Sequence, residues 1–391
     1  MNMDDAKQLK MRIPQLIEQH KDELQSLCLK IHSCPETGLN EFKAAEWITA
    51  YLERNGFIVQ RGIGSLPTAF IASYGEGKPH IALLAEYDAL PELGHACGHN
   101  IIASAAAGSA IASRVAVDSF GGKITVVGSP SEEFHCGKEL LIREGVFEDI
   151  DLAMMIHPGC VNASIISTLA CINLEAEFTG LEAHASANPE EGVNALEAII
   201  LSFNAINSLR QHIPESARIH GIITDGGQAA NIVPAHASAM FMVRANTMEY
   251  LESLQQSVED CFKGASLSTG AKLRCRWAKV CCKPMKTNRK LASLFNQNMV
   301  LAGREMETRT VDFASTDMGN ISQAIPSIHP IVAIAPIGTS LHSVDFLKAA
   351  ASEAGIRGML DGASAMACTI TDVLSNQGII NEIKKEFQSR Q

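Results

Sequence analysis

Five groups of polar residues stand where short apolar runs end, and their types suit one kind of chemistry. Asp88 follows the run 81–85. Cys97 and His99, in a Cys-Gly-His triplet, come soon after it. Glu132-Glu133 follows 124–127, His157 follows 152–156, and His342 comes after 331–334. A thiol, imidazoles and carboxylates together are the donor set of zinc and similar divalent metals. Two such ions a few ångströms apart can share a bridging ligand. Neighbouring side chains on an extended segment point in different directions. One of Glu132 and Glu133 can therefore bind metal while the other stays free to handle protons. Each member also has an ordinary reading. A lone cysteine usually packs in a core, a Glu-Glu pair is usually solvated, as read for Glu190-Glu191, and a lone apolar-flanked histidine usually just hydrogen-bonds. His95 and His135 compete as ligands by spacing alone, and short motifs of this kind have a high false-positive rate.

These groups gain meaning only if something brings them to one place. Apolar residues at helical spacing predict a helix over 5–32 and a second over 41–55, stopped by Gly56. Short apolar runs of strand length then alternate with helices over 100–115, where Asn100 reads as the cap, and 137–143. Such alternation indicates an α/β sheet, and ligands of such sheets bind beyond the carboxyl ends of the strands. If the strands run parallel, all five groups share one rim. From about residue 171 the order becomes strand, helix, strand, strand, helix, strand, the split arrangement of a ferredoxin-like sandwich. After Pro284 the α/β texture returns, with helices predicted over 288–302 and 345–374. The expected architecture is therefore a catalytic α/β domain, 1–170 and 284–391, with a mixed, mostly parallel sheet and helices on both faces. A ferredoxin-like α+β domain, 171–283, is inserted in it.

Composition narrows the partners. The 391 residues carry 43 acids against 32 bases, a net charge of −11, which argues against nucleic-acid binding. The eleven cysteines follow no disulfide or CxxC spacing, so they read as thiols in a reducing compartment. No leader is visible at the acidic N-terminus, and the charge-free stretch 100–113 reads as too short to span a bilayer. A cytoplasmic protein with a small-molecule substrate, and no membrane partner, is expected.

The segments Tyr87-Asp88-Ala89-Leu90-Pro91 and Gly94-His95-Ala96-Cys97-Gly98-His99-Asn100 resemble the amidohydrolase branch of the dinuclear metallo-aminoacylase and carboxypeptidase superfamily. Its members include p-aminobenzoyl-glutamate hydrolases, N-acyl amino acid amidohydrolases and dipeptidases for basic C-terminal residues. The match continues through Ser131-Glu132-Glu133, Ile156-His157-Pro158, Gly180-Leu181-Glu182-Ala183-His184-Ala185, Gly226 to Pro234, Ser315-Thr316-Asp317-Met318-Gly319 and Ser340-Leu341-His342-Ser343. The resemblance implies two divalent ions per subunit, zinc or manganese with cobalt a further candidate. It makes Cys97 their bridging ligand and places His99, Glu133, His157 and His342 around them. It implies Glu132 as general acid/base and Asp88 as a carboxylate supporting the ligands. The inserted domain is similar to the family's lid, through which subunits pair as a homodimer. His184 is then the residue that polarises the scissile carbonyl in the partner subunit's site, and Asn231 and Arg244 hold a substrate carboxylate. Asn100 stands where many auxin-type members have Asp, which tilts the resemblance toward the p-aminobenzoyl-glutamate and dipeptidase members and alters the expected local charge. The implied function is hydrolysis of the amide of an N-acyl amino acid or dipeptide-like substrate with a free carboxylate. Two rivals remain: a thiol hydrolase using Cys97 as nucleophile with His99 or His157 as base, and a non-catalytic metal-binding relative, against which Glu132 argues.

Overall fold

A computed structural model describes residues 3–389. They divide into two compact units. One takes the chain up to Ser167, Met285–Phe313 and the chain from Asp317 onward; the other is Thr168–Pro284 with Ala314–Thr316.

The first unit is built on a six-stranded sheet in the order Ile58–Ile63, Leu66–Glu76, Gly122–Ser129, His80–Glu86, Leu152–Met154 and Ser327–Ile328. The first two pairings are antiparallel and the last three parallel. His80–Glu86 lies inside the parallel part and is buried along its whole length, as its unbroken apolar run requires of a strand covered on both faces. The helix His99–Phe120 packs on that strand and against Glu353–Ser375. It is 22 residues long and, by length and composition alone, apolar enough to cross a membrane. The shorter reading of this stretch is corrected accordingly. Its sides are covered by protein, with Ala103, Ala105, Ala106, Ala107 and Ala110 all in the core, and small side chains let neighbouring elements approach closely.

Other expectations are corrected in detail. The helix predicted over 5–32 is two, Met3–Gln19 and Lys21–Ser33, because the chain turns at His20 (ψ 3°), whose N–H closes a tight turn on the Ile17 carbonyl. The helix predicted over 345–374 is also two, Val344–Ala349 and Glu353–Ser375, the second capped by Ser352, whose hydroxyl accepts from Gly355 N–H at 3.1 Å. The cap at Asn100 is displaced: the helix begins at His99 after left-handed Gly98 (φ 83°). The strand Ile331–Ala333 does not join the central sheet but pairs in parallel with His157–Gly159.

The second unit is a four-stranded antiparallel sheet ordered Lys272–Trp277, Ala170–Thr179, His236–Ala245, Arg218–Asp225. Two helices, Ala195–Arg210 and Met248–Thr269, pack on the sheet. Asn194 and Thr247 cap them, accepting from Glu197 and Tyr250 N–H. Alternate residues of Ala170–Thr179 and His236–Ala245 (Leu174, Ala176, Phe178, Ala239, Phe241, Val243) form the unit's own core with Leu254, Val258 and Phe262 of the second helix.

Candidate active site and metal centre

Two trios of donors in the first unit share Cys97. Cys97, His99 and His157 form one; Cys97, Glu133 and His342 form the other. Within each, one donor atom per residue lies within 4.8 Å of the others. His99, Glu132 and Glu133 meet by the same measure. The elements that deliver them are short and locked. Gly98 separates Cys97 from His99, and a Cβ there would meet Pro158 Cγ at 2.4 Å. Glycine is thus needed both for its left-handed backbone and for this contact with the residue after His157. Ser131 (φ 57°), before the glutamates, and His342 (φ 58°) also adopt left-handed backbone. Both are held by outside contacts, Ser131 N–H by the Glu41 carboxylate at 2.9 Å and His342 N–H by the Ala96 carbonyl at 3.1 Å. Backbone strain of this kind persists where the surroundings over-determine it.

Hydrogen bonds set the histidine tautomers. His99 Nδ1 lies 2.9 Å from both the carbonyl and carboxylate oxygens of Asp88, and His157 Nδ1 lies 2.7 Å from the Pro158 carbonyl. Each Nδ1–H therefore donates, and the Nε2 lone pairs face the cluster. His157 Nε2 is 3.5 Å from Cys97 Sγ, and His99 Nε2 is buried with no hydrogen-bond partner. Asp88 also accepts from Glu133 N–H at 3.0 Å, so one carboxylate orients two of the clustered residues. His342 Nε2 is 3.3 Å from Glu133 Oε1. Thiol, two oriented imidazole lone pairs, carboxylates and a third imidazole, in two trios sharing one sulfur, fit a pair of divalent cations.

The electrostatics agree with that fit. Burial works against a charge on His99, yet Cys97 and Asp88 raise its pKa well above the usual range. Burial pushes the Cys97 thiol up, with His99 opposing and Glu133 adding to the rise. Left to the protein alone, this sulfur is no ready thiolate, which disfavours the nucleophile reading. Burial, then the charges of Glu86, Asp317 and Glu133, raise the Glu132 carboxyl well above the ordinary range, while burial raises and His342 and His99 lower Glu133. Two adjacent carboxylates pushed in opposite directions suit two different roles.

The competing ligands separate. His95 stacks toward His32, ring centroids 6.3 Å apart, and burial lowers its pKa to about 3. His135 Nδ1 bonds the Ser131 hydroxyl at 2.7 Å. Asn100 donates to the Ala350 carbonyl at 2.9 Å and to Cys28 Sγ at 3.1 Å. Its amide serves the core, a donor role that Asp could not fill. In the second unit, His184 and Asn231 are exposed neighbours: Ala185 N–H donates to the Asn231 carbonyl at 3.0 Å, and His184 bridges Ile232. Arg244, on the strand His236–Ala245, donates to the Ser315 hydroxyl at 2.9 Å and touches Met242 Sδ. It has no carboxylate partner among the described residues, and its Nε is buried without one.

Four participants had no role in the sequence reading. His329 is buried against His157, ring centroids 5.5 Å apart. Glu86, Lys138 and Asp317 form an ion triad beside Glu132. Glu86 has a legible strand-end position two residues before Asp88, and Asp317 lies within a family motif. Lys138 gives no signal at all, since Gly137–Arg143 reads as an ordinary surface helix.

Fold and site together define a metal-dependent hydrolase built as an α/β unit plus a small antiparallel domain. Known proteins agree with this. The peptidase dimerisation domain matches residues 169–269. The chain is 34% identical to mouse (Mus musculus) Xaa-Arg dipeptidase over 98% of its own length and 93% of that protein's. It is 31% identical to one of the p-aminobenzoyl-glutamate hydrolase subunits of Escherichia coli K12, covering 96% and 94%. A Bacillus subtilis protein described as a dinuclear metal binding peptidase of the M20 family has the same fold, with TM-score 0.70, 17% identity and coverage of 92% and 99%. The chain belongs to the M20 peptidase family and is an enzyme, a metal-dependent hydrolase acting on amides.

Proposed function

We propose that this enzyme hydrolyses the amide of an N-acyl amino acid or dipeptide carrying a free carboxylate. Substrates of the p-aminobenzoyl-glutamate type or dipeptides ending in Lys or Arg are favoured. The observation that carries this reading is the pair of donor trios sharing Cys97 with Glu132 alongside. The names of the two full-length relatives support the substrate class. In this reading Cys97, His99, Glu133, His157 and His342 hold two divalent ions, zinc or manganese, with cobalt a further candidate. When bound, such ions supply Lewis-acid polarisation of water and carbonyl oxygen.

The protein's own groups do the rest. Glu132, its carboxyl disposed to hold a proton, takes one from the attacking water and passes it to the leaving nitrogen. Asp88 keeps His99 and Glu133 oriented. Arg244, a cation without a carboxylate partner among the described residues, pairs with the substrate carboxylate through its fork, assisted by Asn231. His184 donates to the developing oxyanion in the partner subunit's site. A homodimer is supported by the matched dimerisation domain and by the edge strand Arg218–Asp225, which exposes Ile222 and Ile223. Eleven cysteines without disulfide or CxxC spacing suit a reducing, cytoplasmic setting.

The test is turnover on a panel of N-acyl amino acids, p-aminobenzoyl-glutamate and dipeptides ending in Lys or Arg, with metal content measured in parallel. Hydrolysis confined to substrates with a free carboxylate, and abolished by a chelator, is the expected result. Undiminished activity on carboxyl-amidated substrates, or in chelator, overturns the reading.

A further inference from the structure

We propose that Lys138 is a positioning residue for Glu132. Its ammonium ties Glu86 and Asp317 together and is the fixed counter-charge that lets the Glu132 carboxylate sit against the ligand cluster. This deepens the functional reading above and rests on the role given there to Glu132.

The geometry starts from a closed loop. Glu132 and Lys138 stand at its two ends, and Gly137 N–H reaches back to the Ser131 carbonyl at 3.3 Å. A Cβ at Gly137 would meet the Pro130 carbonyl oxygen at 1.8 Å, so the loop closes only around glycine. Lys138 therefore leaves the loop into the interior, fully buried, where Nζ pairs with Glu86 Oε1 and with Asp317 Oδ1 at 2.5 Å. Its backbone N–H donates to the other Asp317 oxygen at 3.0 Å. Glu86 and Asp317 are fully buried too. Glu86, Glu132 and Asp317 each place one carboxylate oxygen within 4.8 Å of the others. The second Glu86 oxygen is buried without a hydrogen bond, 3.6 Å from His99 Nε2. The triad thus faces Glu132 on one side and the ligand histidine on the other.

A merely structural clasp is the rival account. An apolar side chain of similar volume fills a core at no desolvation cost, and buried ion clusters are often no more stable than such replacements. What an apolar side chain cannot do is offset three crowded carboxylates. Without the ammonium, Glu86 and Asp317 repel Glu132 and each other, and Glu132 swings toward solvent. Lys138 touches neither substrate nor water in this account; it acts through the two acids.

The experiment compares Lys138→Met with the charge-balanced pair Lys138→Met/Glu86→Gln, each alone and in a Glu132→Gln background. Thermal unfolding and metal content are measured beside kcat and KM. The balanced pair removes one buried charge of each sign but leaves Asp317 beside Glu132 with no ammonium to hold it, so it keeps the test open if Lys138→Met alone does not fold. The expected result is a folded, metal-loaded double variant whose kcat falls by about 100-fold, the scale of lost proton-transfer catalysis, with KM within about threefold. In the Glu132→Gln background the same change costs less than about threefold further, because residues that act through one group are not additive. A kcat within about threefold of the parent overturns the proposal. So does a loss that follows metal content, or one that multiplies with that of Glu132→Gln. Full turnover by Glu132→Gln itself would instead sink the reading of Glu132, and is read separately.

Discussion

The two units treat charge in opposite ways. In the first, the groups tied to the chemistry are packed and oriented, and all but the half-exposed His342 are largely buried: Asp88 holds His99 and Glu133, Pro158 holds His157, and Lys138 is enclosed by Glu86 and Asp317. In the second, His184 and Asn231 are exposed, and Arg244 is braced by a serine hydroxyl and a thioether instead of an acid. The contrast separates two tasks. Stabilising a transition state needs groups that do not reorganise, whereas capturing a substrate needs groups whose bonds are left to the ligand. A cation already paired inside the protein would have little to offer a carboxylate.

Mutations can break this contrast or sharpen it. The largest effect is expected at Glu132. Glu132→Gln should lower kcat by about 10²–10⁴ while metal content by mass spectrometry stays at the parent level; a variant that keeps its rate removes Glu132 as the proton carrier. Asp88→Asn comes next. It weakens the orientation of His99 and Glu133, and should cost about 10–100-fold in metal affinity or activity, measured by competition with a chelator of known affinity. In the second unit the effect should fall on a different constant. Arg244→Met should raise KM about 10- to 100-fold, the worth of a hydrogen-bonded charge pair, with kcat less affected. An amidated substrate should show no such difference between parent and variant. If Arg244→Met instead lowers kcat at unchanged KM, the division between the units is wrong.

The smallest effect is a pH dependence. Burial raises the Glu41 carboxyl to about 7, although Thr68 and the backbone N–H groups of Leu39 and Ser131 bond it. A carboxyl with a raised folded-state pKa favours the fold while protonated. Its contribution is complete below its ordinary value and is lost as the pH rises through about 7. Glu41→Gln should therefore flatten the fall in unfolding midpoint between about pH 4.5 and 7 seen in parallel denaturant titrations. An unchanged slope would show that Glu41 stays ionised in the fold.

Sequence patterns recovered the parts of the molecule that local physics dictates. The inserted domain was legible because half-buried antiparallel strands alternate and its helices carry caps at Asn194 and Thr247. The donors at strand ends were legible because an α/β sheet offers one rim. Helix continuity was not, since apolar spacing survives the turn at His20 and the break before Ser352. Nor was the side-chain traffic of Asn100, His95 and His135, whose partners are set by tertiary packing. Lys138 was the least visible, because its meaning lies in a partner 179 residues away. Nothing near it in the chain separates a buried ammonium from a solvated one.

The split of the first unit along the chain has a consequence for how the enzyme is made. Cys97, His99, Glu133 and His157 emerge from the ribosome before the inserted domain; His342 emerges after it. The edge strand Ser327–Ile328 and the helix Glu353–Ser375, which packs on His99–Phe120, are also late. The inserted domain has its own core and all four strands of its sheet in one continuous stretch, so it can fold during synthesis as a unit. The metal-binding unit must wait for the last third of the chain. The cluster of donors is therefore completed only near the close of synthesis, and a truncated product would carry a finished small domain beside an incomplete, thiol-bearing cluster.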